Sequence, residues 1–251
     1  MTHLQTLHAA LRERRLLKVI AGIENFDAAQ VVAIAKAAQA GGAQAVDIAC
    51  DPALVREVKA TTNMIVFVSA IEPAKLIEAA RAGADVLELG NFDALYLKGI
   101  EPSKAEILGW VREVKAAVHN VPLCVTVSGR LPLAEQKALA VELAEIGVEM
   151  LQTEGQVGPE GKDTFTALSG AISALSNTAE IRKVVDLPLM LAGGFNAISA
   201  PFAIAAGADA LGVGKAIAGL GDEVAMAAAT AEIVKALDAV HADGKGLTTR
   251  A

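Results

Sequence analysis

Aromatic side chains are scarce, making up 3% of the 251 residues, with one Trp and one Tyr. An antiparallel sandwich, whose strands draw on Tyr, Phe and Trp, is disfavoured by that count. Cysteine is nearly absent: Cys50 and Cys124 each lie in or beside an apolar run, which reads as two buried thiols in a reducing compartment and excludes a disulfide framework. Positive charge is in deficit, with 22 Lys+Arg against 29 Asp+Glu and a net charge of −7, the wrong sign for a nucleic-acid surface. No apolar run reaches the roughly 18 residues of a membrane span. The first residues, MTHLQTLHAALRERRLLKV, lack the charged-then-apolar order of a secretory signal. A cytoplasmic globular protein without nucleic-acid or membrane partners is expected. His3, His8, His119 and His241 fall in terminal helices or beside a turn, so neither a histidine acid/base pair nor a zinc site is predicted.

What is abundant is aliphatic: 53% of the chain is hydrophobic, ample for a large core. It is arranged in two alternating phrases. AAQAGGAQAVDIA, EAARAGADVLELG, LAEIGVEMLQTEG and AIAAGADALGVG each read as helix, glycine stop, then strand, aligned on Gly42, Gly83, Gly147 and Gly207. Between them stand LLKVIAGI, NMIVFVSA, VPLCVTVSG and LPLMLAGG, continuous apolar runs of the kind found in parallel sheets covered on both faces. Four of each makes the arithmetic of a single (βα)8 TIM barrel over residues 1–251. Its strands should begin near Leu17, Ala45, Met64, Asp85, Leu123, Glu149, Leu189 and Asp209, with a helix around residues 3–14 closing the bottom. A doubly wound open sheet is the alternative, but GIENFD after the first strand supplies no Gly-rich fingerprint.

Side chains alternate along a strand, and one parity collects the hydrophilic residues. Lys18, Asp47, Glu88, Gln152 and Glu154 are thereby expected to point at the barrel axis, with Glu154 highest, near the C-terminal mouth where barrel enzymes carry their sites. Phe67 and Ser69, then Cys124, Thr126 and Ser128, share that parity, and Thr153 breaks the rule. A buried, charge-compensated structural layer is the bland alternative. Buried ion pairs stabilise poorly compared with apolar replacements, so function explains such a layer better. At the last two strands, LAGGFNAISAPFAIAAGADALGVGKAI places Gly193, Gly194, Gly212 and Gly214 at strand ends ahead of short helices, with Lys215 following. Backbone N–H groups there form the phosphate sites of such barrels. The irregular stretch TEGQVGPEGKDTFTA suggests a lid over residues 155–166. Trp110 is assigned to packing.

The ordered set KVIAGIENFD, VDIACDP, LELGNFD, LCVTV, QTEG and AGGFNAISAP resembles the hypothetical chloroplast reading frame family, number twenty-three, of plastids, cyanobacteria and bacterial relatives. The resemblance spans roughly residues 15–220. It implies an aldolase-type barrel, carries no activity with it, and falls on Lys18, Asp47, Asp51, Glu88, Asn91, Thr126, Gln152, Glu154 and Gly193; Lys215 is not part of the pattern. The leading functional expectation is an enzyme for a small phosphorylated substrate, a lyase or isomerase. Lys18 acts in it as Schiff-base nucleophile or electrostatic partner, Asp47, Glu88 and Glu154 move protons, and Asn91, Thr126, Gln152, the four glycines and Lys215 bind substrate. No cofactor is required. A Mg²⁺ held by Asp47, Glu88 and Glu154 ranks second, because Lys18 competes for those carboxylates. A non-catalytic phosphometabolite-binding or regulatory barrel is the alternative, and a homo-oligomer is compatible with either.

Overall fold

The structure, a computed structural model, describes residues 2–96, 98–155 and 164–242. Helix α1 (His3–Arg12) opens with a capping box in which Thr2 and Gln5 satisfy each other's backbone N–H groups. It stops short of the expected residue 14 because Arg14 adopts φ 55° and sends its guanidinium to the carbonyls of Ile204 and Ala208. The chain then alternates through β1 (Leu16–Gly22), α2 (Ala28–Ala40), β2 (Ala45–Ala49), α3 (Pro52–Thr61), β3 (Ile65–Ala70), α4 (Pro73–Ala82) and β4 (Val86–Leu89). A short α5 (Asp93–Tyr96) precedes α6 (Lys104–Ala117), β5 (Leu123–Val127), α7 (Leu133–Ile146), β6 (Met150–Thr153) and α8 (Thr164–Arg182). Last come β7 (Leu189–Ala192), α9 (Ala200–Ala205), β8 (Ala210–Val213), α10 (Lys215–Ala218) and α11 (Glu223–Ala242).

The eight strands form one closed barrel in sequence order, and every neighbouring pair is parallel. All eight begin within one residue of the positions expected from sequence. The register sets Lys18 opposite Ala45 on one side and Gly212 on the other. A slip of one residue would turn every inward side chain outward.

Two apolar clusters result. The larger lies between the sheet and the helices, and holds Val46, Ile48, Leu87, Leu151 and Leu211 from the outward parity. The smaller fills the base of the barrel: Leu16, Ile65, Phe67, Cys124, Met150 and Met190 pack with Leu7 and Leu11 of α1. Trp110 packs against the outer core, as expected. Cys50 corrects the reading of two buried thiols. Cys124 is buried, but Cys50, just past β2, is half-buried, and its Sγ donates to the Lys75 carbonyl at 3.0 Å.

The barrel's helical ring closes where α11 meets α2, and there the helices touch backbone to backbone. A Cβ on Gly41 would lie 2.4 Å from Thr230 Cβ and 2.6 Å from the Ala227 carbonyl oxygen. Gly41→Ala should therefore destabilise the fold by about 1–3 kcal/mol through overpacking, seen as a lower urea midpoint at unchanged slope. An unaltered midpoint would show that the seam yields freely.

Candidate functional site

Above the apolar base the barrel interior turns polar. Lys18, Asp47, Glu88 and Gln152 are each no more than 1% exposed. Lys18 Nζ donates to Glu88 Oε2 and, at 2.9 Å, to Gln152 Oε1. Asp47 Oδ2 lies 3.7 Å away, and the ring of Phe67 packs 5.1 Å from the ammonium. An ammonium only donates, so Gln152 must face it with its oxygen. Its Nε2 then donates to Glu88 Oε1 at 2.8 Å and Thr126 Oγ1 at 3.2 Å.

Asn91 closes the cluster from the mouth side. Its Nδ2 donates to Asp47 Oδ2 at 3.1 Å and to Ser69 Oγ at 3.0 Å, while Ser69 donates to Asp47 Oδ1 at 2.5 Å. Asn91 has φ 58°, a left-handed geometry that few residues other than Gly, Asn and Asp adopt. Gly90 beneath it is required by closeness: a Cβ there would stand 1.9 Å from Thr126 Oγ1. Asn91 is half-buried while Lys18, Asp47, Glu88, Ser69, Thr126 and Gln152 are buried, so it offers the cluster's surface to the mouth.

One ammonium faces two carboxylates, leaving an excess negative charge out of water. Burial pushes the Glu88 carboxyl up to about 7, with Lys18 working against the rise and Asp47 adding to it. Burial alone would lower the proton affinity of Lys18, but Glu88 and Asp47 overcome it and hold the ammonium above its ordinary value. Burial also raises the Cys124 thiol well above its usual range, with Glu88 reinforcing the effect, so no thiolate forms there.

Glu154 sits one pleat higher, in a separate network. Tyr96 Oη donates to Glu154 Oε1 at 2.6 Å and lies 2.6 Å from Ser128 Oγ, and Gly129 N–H donates to the same carboxylate oxygen at 3.0 Å. The Arg130 guanidinium stacks 4.4 Å from the Tyr96 ring centroid. The three carboxylates considered for Mg²⁺ are thus divided between two networks, and among the described residues no group of three His, Cys, Asp or Glu could hold a metal ion. Thr153, the parity exception, faces outward to Thr178 at 2.6 Å. Asp51 caps α3, accepting from the Ala53 and Leu54 N–H groups at 2.8 and 2.9 Å.

Above Met190, the register partner of Gln152, β7 and β8 contribute the small inward residues Ala192 and Gly212. A Cβ on Gly212 would lie 3.2 Å from Ala192 Cβ, 3.3 Å from Ile20 Cδ1 and 3.5 Å from Gln152 Oε1. Above them Gly193 and Gly194 take φ 123° and 78°, and Gly214 precedes α10, whose first residue is the exposed Lys215. No described hydrogen bond outside the sheet ladders uses the N–H groups of Gly193, Gly194, Gly214 or Lys215. Residues 156–163 of the expected lid lie outside the described residues.

The parity rule therefore brings Lys18, Asp47, Glu88 and Gln152 together and sets Glu154 above them. It misses Ser69 as a partner of Asp47, although Ser69 shares the inward parity. It also misses Tyr96, the chain's only tyrosine, which a tertiary turn after β4 delivers.

Glu88 predicts a pH signature. Its folded value of about 7 exceeds the ordinary 4.5, so between those values the folded state binds more protons than the unfolded one, and stability falls as pH rises. The Glu88 contribution should fall by on the order of 3 kcal/mol across that window, and Glu88→Gln should remove that slope in urea titrations. An identical slope in the variant would place the excess charge elsewhere.

Residues 1–243 match the family described as "Protein of unknown function (DUF561)". The relative named "Uncharacterized protein ycf23" from Antithamnion sp. is 37% identical over 205 residues, covering 77% of this chain and 74% of its own. Among solved structures, thiamine phosphate pyrophosphorylase from Pyrococcus furiosus superposes with a TM-score of 0.63 at 22% identity, over 92% of this chain and 98% of that one. A 3-hexulose-6-phosphate synthase does so with 0.65 at 21% identity, over 88% and 99%. At such identities these two barrels share the fold, an aldolase-type TIM barrel, while family membership rests on the sequence matches: the chain belongs to the DUF561 family, with the ycf23 proteins of plastids among its relatives.

Proposed function

We propose that this protein is an enzyme, a lyase or isomerase, that binds a small phosphorylated carbonyl compound at the C-terminal mouth and reacts it at Lys18. The observation that carries this reading is the direct hydrogen bond between Lys18 and Glu88 in a site closed to water. Lys18 rests as an ammonium held by Glu88 and Asp47, and a carboxyl raised by burial to about 7 is suited to take its proton once a bound substrate weakens that pairing. Once Glu88 accepts that proton, the Lys18 amine can attack a carbonyl carbon, and loss of water yields an iminium able to withdraw electrons from the adjacent carbon. Asp47 moves the substrate proton, Glu154 serves as the second acid/base nearer the mouth, and Asn91, Thr126 and Gln152 orient the reacting groups.

The phosphate half of the reading rests on the strand-end glycines Gly193, Gly194 and Gly214 ahead of Lys215, whose N–H groups make no described hydrogen bond outside the sheet ladders; at the glycines a phosphate can approach backbone that carries no Cβ. Gly212 and Ala192 below leave the smallest side chains between that rim and Gln152. The phosphorylated compounds named in the two solved barrels agree with this by analogy of fold. The two free thiols fit a cytoplasmic setting. A non-catalytic phosphometabolite-binding barrel is the second reading, favoured by one observation: the Lys18 ammonium already has a carboxylate and an amide oxygen as partners.

Trapping with borohydride separates the two. A panel of phosphorylated aldehydes and ketones should leave a reduced adduct on Lys18, found by peptide mass spectrometry and absent in Lys18→Met. Gly194→Val should cut trapping of phosphorylated carbonyls by about tenfold without affecting unphosphorylated ones. Binding of the same compounds with no adduct on Lys18 would favour the non-catalytic reading.

A further inference from the structure

Five large apolar side chains stand in solvent on one side of the mouth. Ile198 and Phe202 lie before and in α9 (84% and 59% exposed), Leu220 and Val224 before and in α11 (48% and 77%), and Phe26 before α2 (60%). Every helix of the ring runs opposite to its preceding strand, so all five sit at the C-terminal end of the barrel. Helices α9, α11 and α2 are consecutive neighbours in the ring. The residues therefore form one arc along the rim that carries Gly194 and Gly214. At these exposures they present on the order of 600 Å² of surface, at the upper end of the apolar patches found on monomers and approaching the roughly 800 Å² of one side of a standard protein interface.

We propose that this arc is the contact face between two copies of the chain. Neither described cavity is lined by any of the five, and a small-ligand pocket is concave, so the arc suits a protein surface better than a small apolar ligand. Exposed Glu24, Asp27, Asp222 and Glu223 punctuate the arc, which opposes an anionic membrane surface. A self-complementary patch is what a two-fold dimer uses, and the exposed Lys215 beside it supplies a cation for the same acids on a second copy. The contact stands independently of the chemistry proposed at Lys18.

Sedimentation velocity of the full chain from about 0.1 to 100 µM tests it. The expected result is a concentration-dependent dimer, whose dissociation constant rises at least about tenfold in Ile198→Glu and in Val224→Glu and is unchanged in Leu4→Glu on α1. Ile198 and Val224 are the most exposed of the five, so the variants should keep the wild-type circular dichroism and melting curve. A monomer at every concentration, or a dimer indifferent to both arc substitutions, would overturn the proposal.

Discussion

An ammonium taken out of water must be given both a counter-charge and hydrogen-bond acceptors, or it loses its proton. Lys18 sits in the middle of a barrel at 0% exposure, and the composition of the strands across from it follows from that requirement. β4 answers with Glu88, β6 with Gln152 and β2 with Asp47. Two carboxylates exceed what one cation neutralises, and Asn91 and Ser69 disperse the surplus on Asp47. Each of these groups is held by at least one other, so the layer is set in place before any ligand arrives.

The layers above and below have different physics. The base is an ordinary apolar core, plugged by α1 and closed to solvent. The mouth is built of small residues and backbone: Gly90, Gly193, Gly194 and Gly214, with Asn91 in a left-handed conformation. Stability is concentrated in the base and the outer shell, where aliphatic burial is extensive. Polar cost is concentrated in the middle layer, which is the usual division where a fold supports chemistry at one end.

The barrel was legible because its period is simple. Glycine stops and apolar runs mark eight units, and alternation within each run separates Asp47, Glu88 and Gln152 from Val46, Leu87 and Leu151 without reference to any partner. Legibility fails where the chain leaves that period. Tyr96 reaches Glu154 through a turn after β4, so its 58-residue separation leaves no trace in local spacing. Ser69 was visible as inward-facing, but its bond to Asp47 depends on strand register. Cys50 stands one residue past the end of β2, where the chain meets the rim, so the apolar run beside it does not bury it.

The claim that Lys18 is a reaction centre beneath a phosphate-binding rim is tested most directly by a crystal structure of the protein soaked with a phosphorylated ketone. The account predicts the phosphoryl group on the N–H groups of Gly193, Gly194, Gly214 and Lys215, and the carbonyl carbon bonded to or touching Lys18 Nζ. A ligand held elsewhere, with Lys18 still bound to Glu88 and Gln152 and out of its reach, would contradict it.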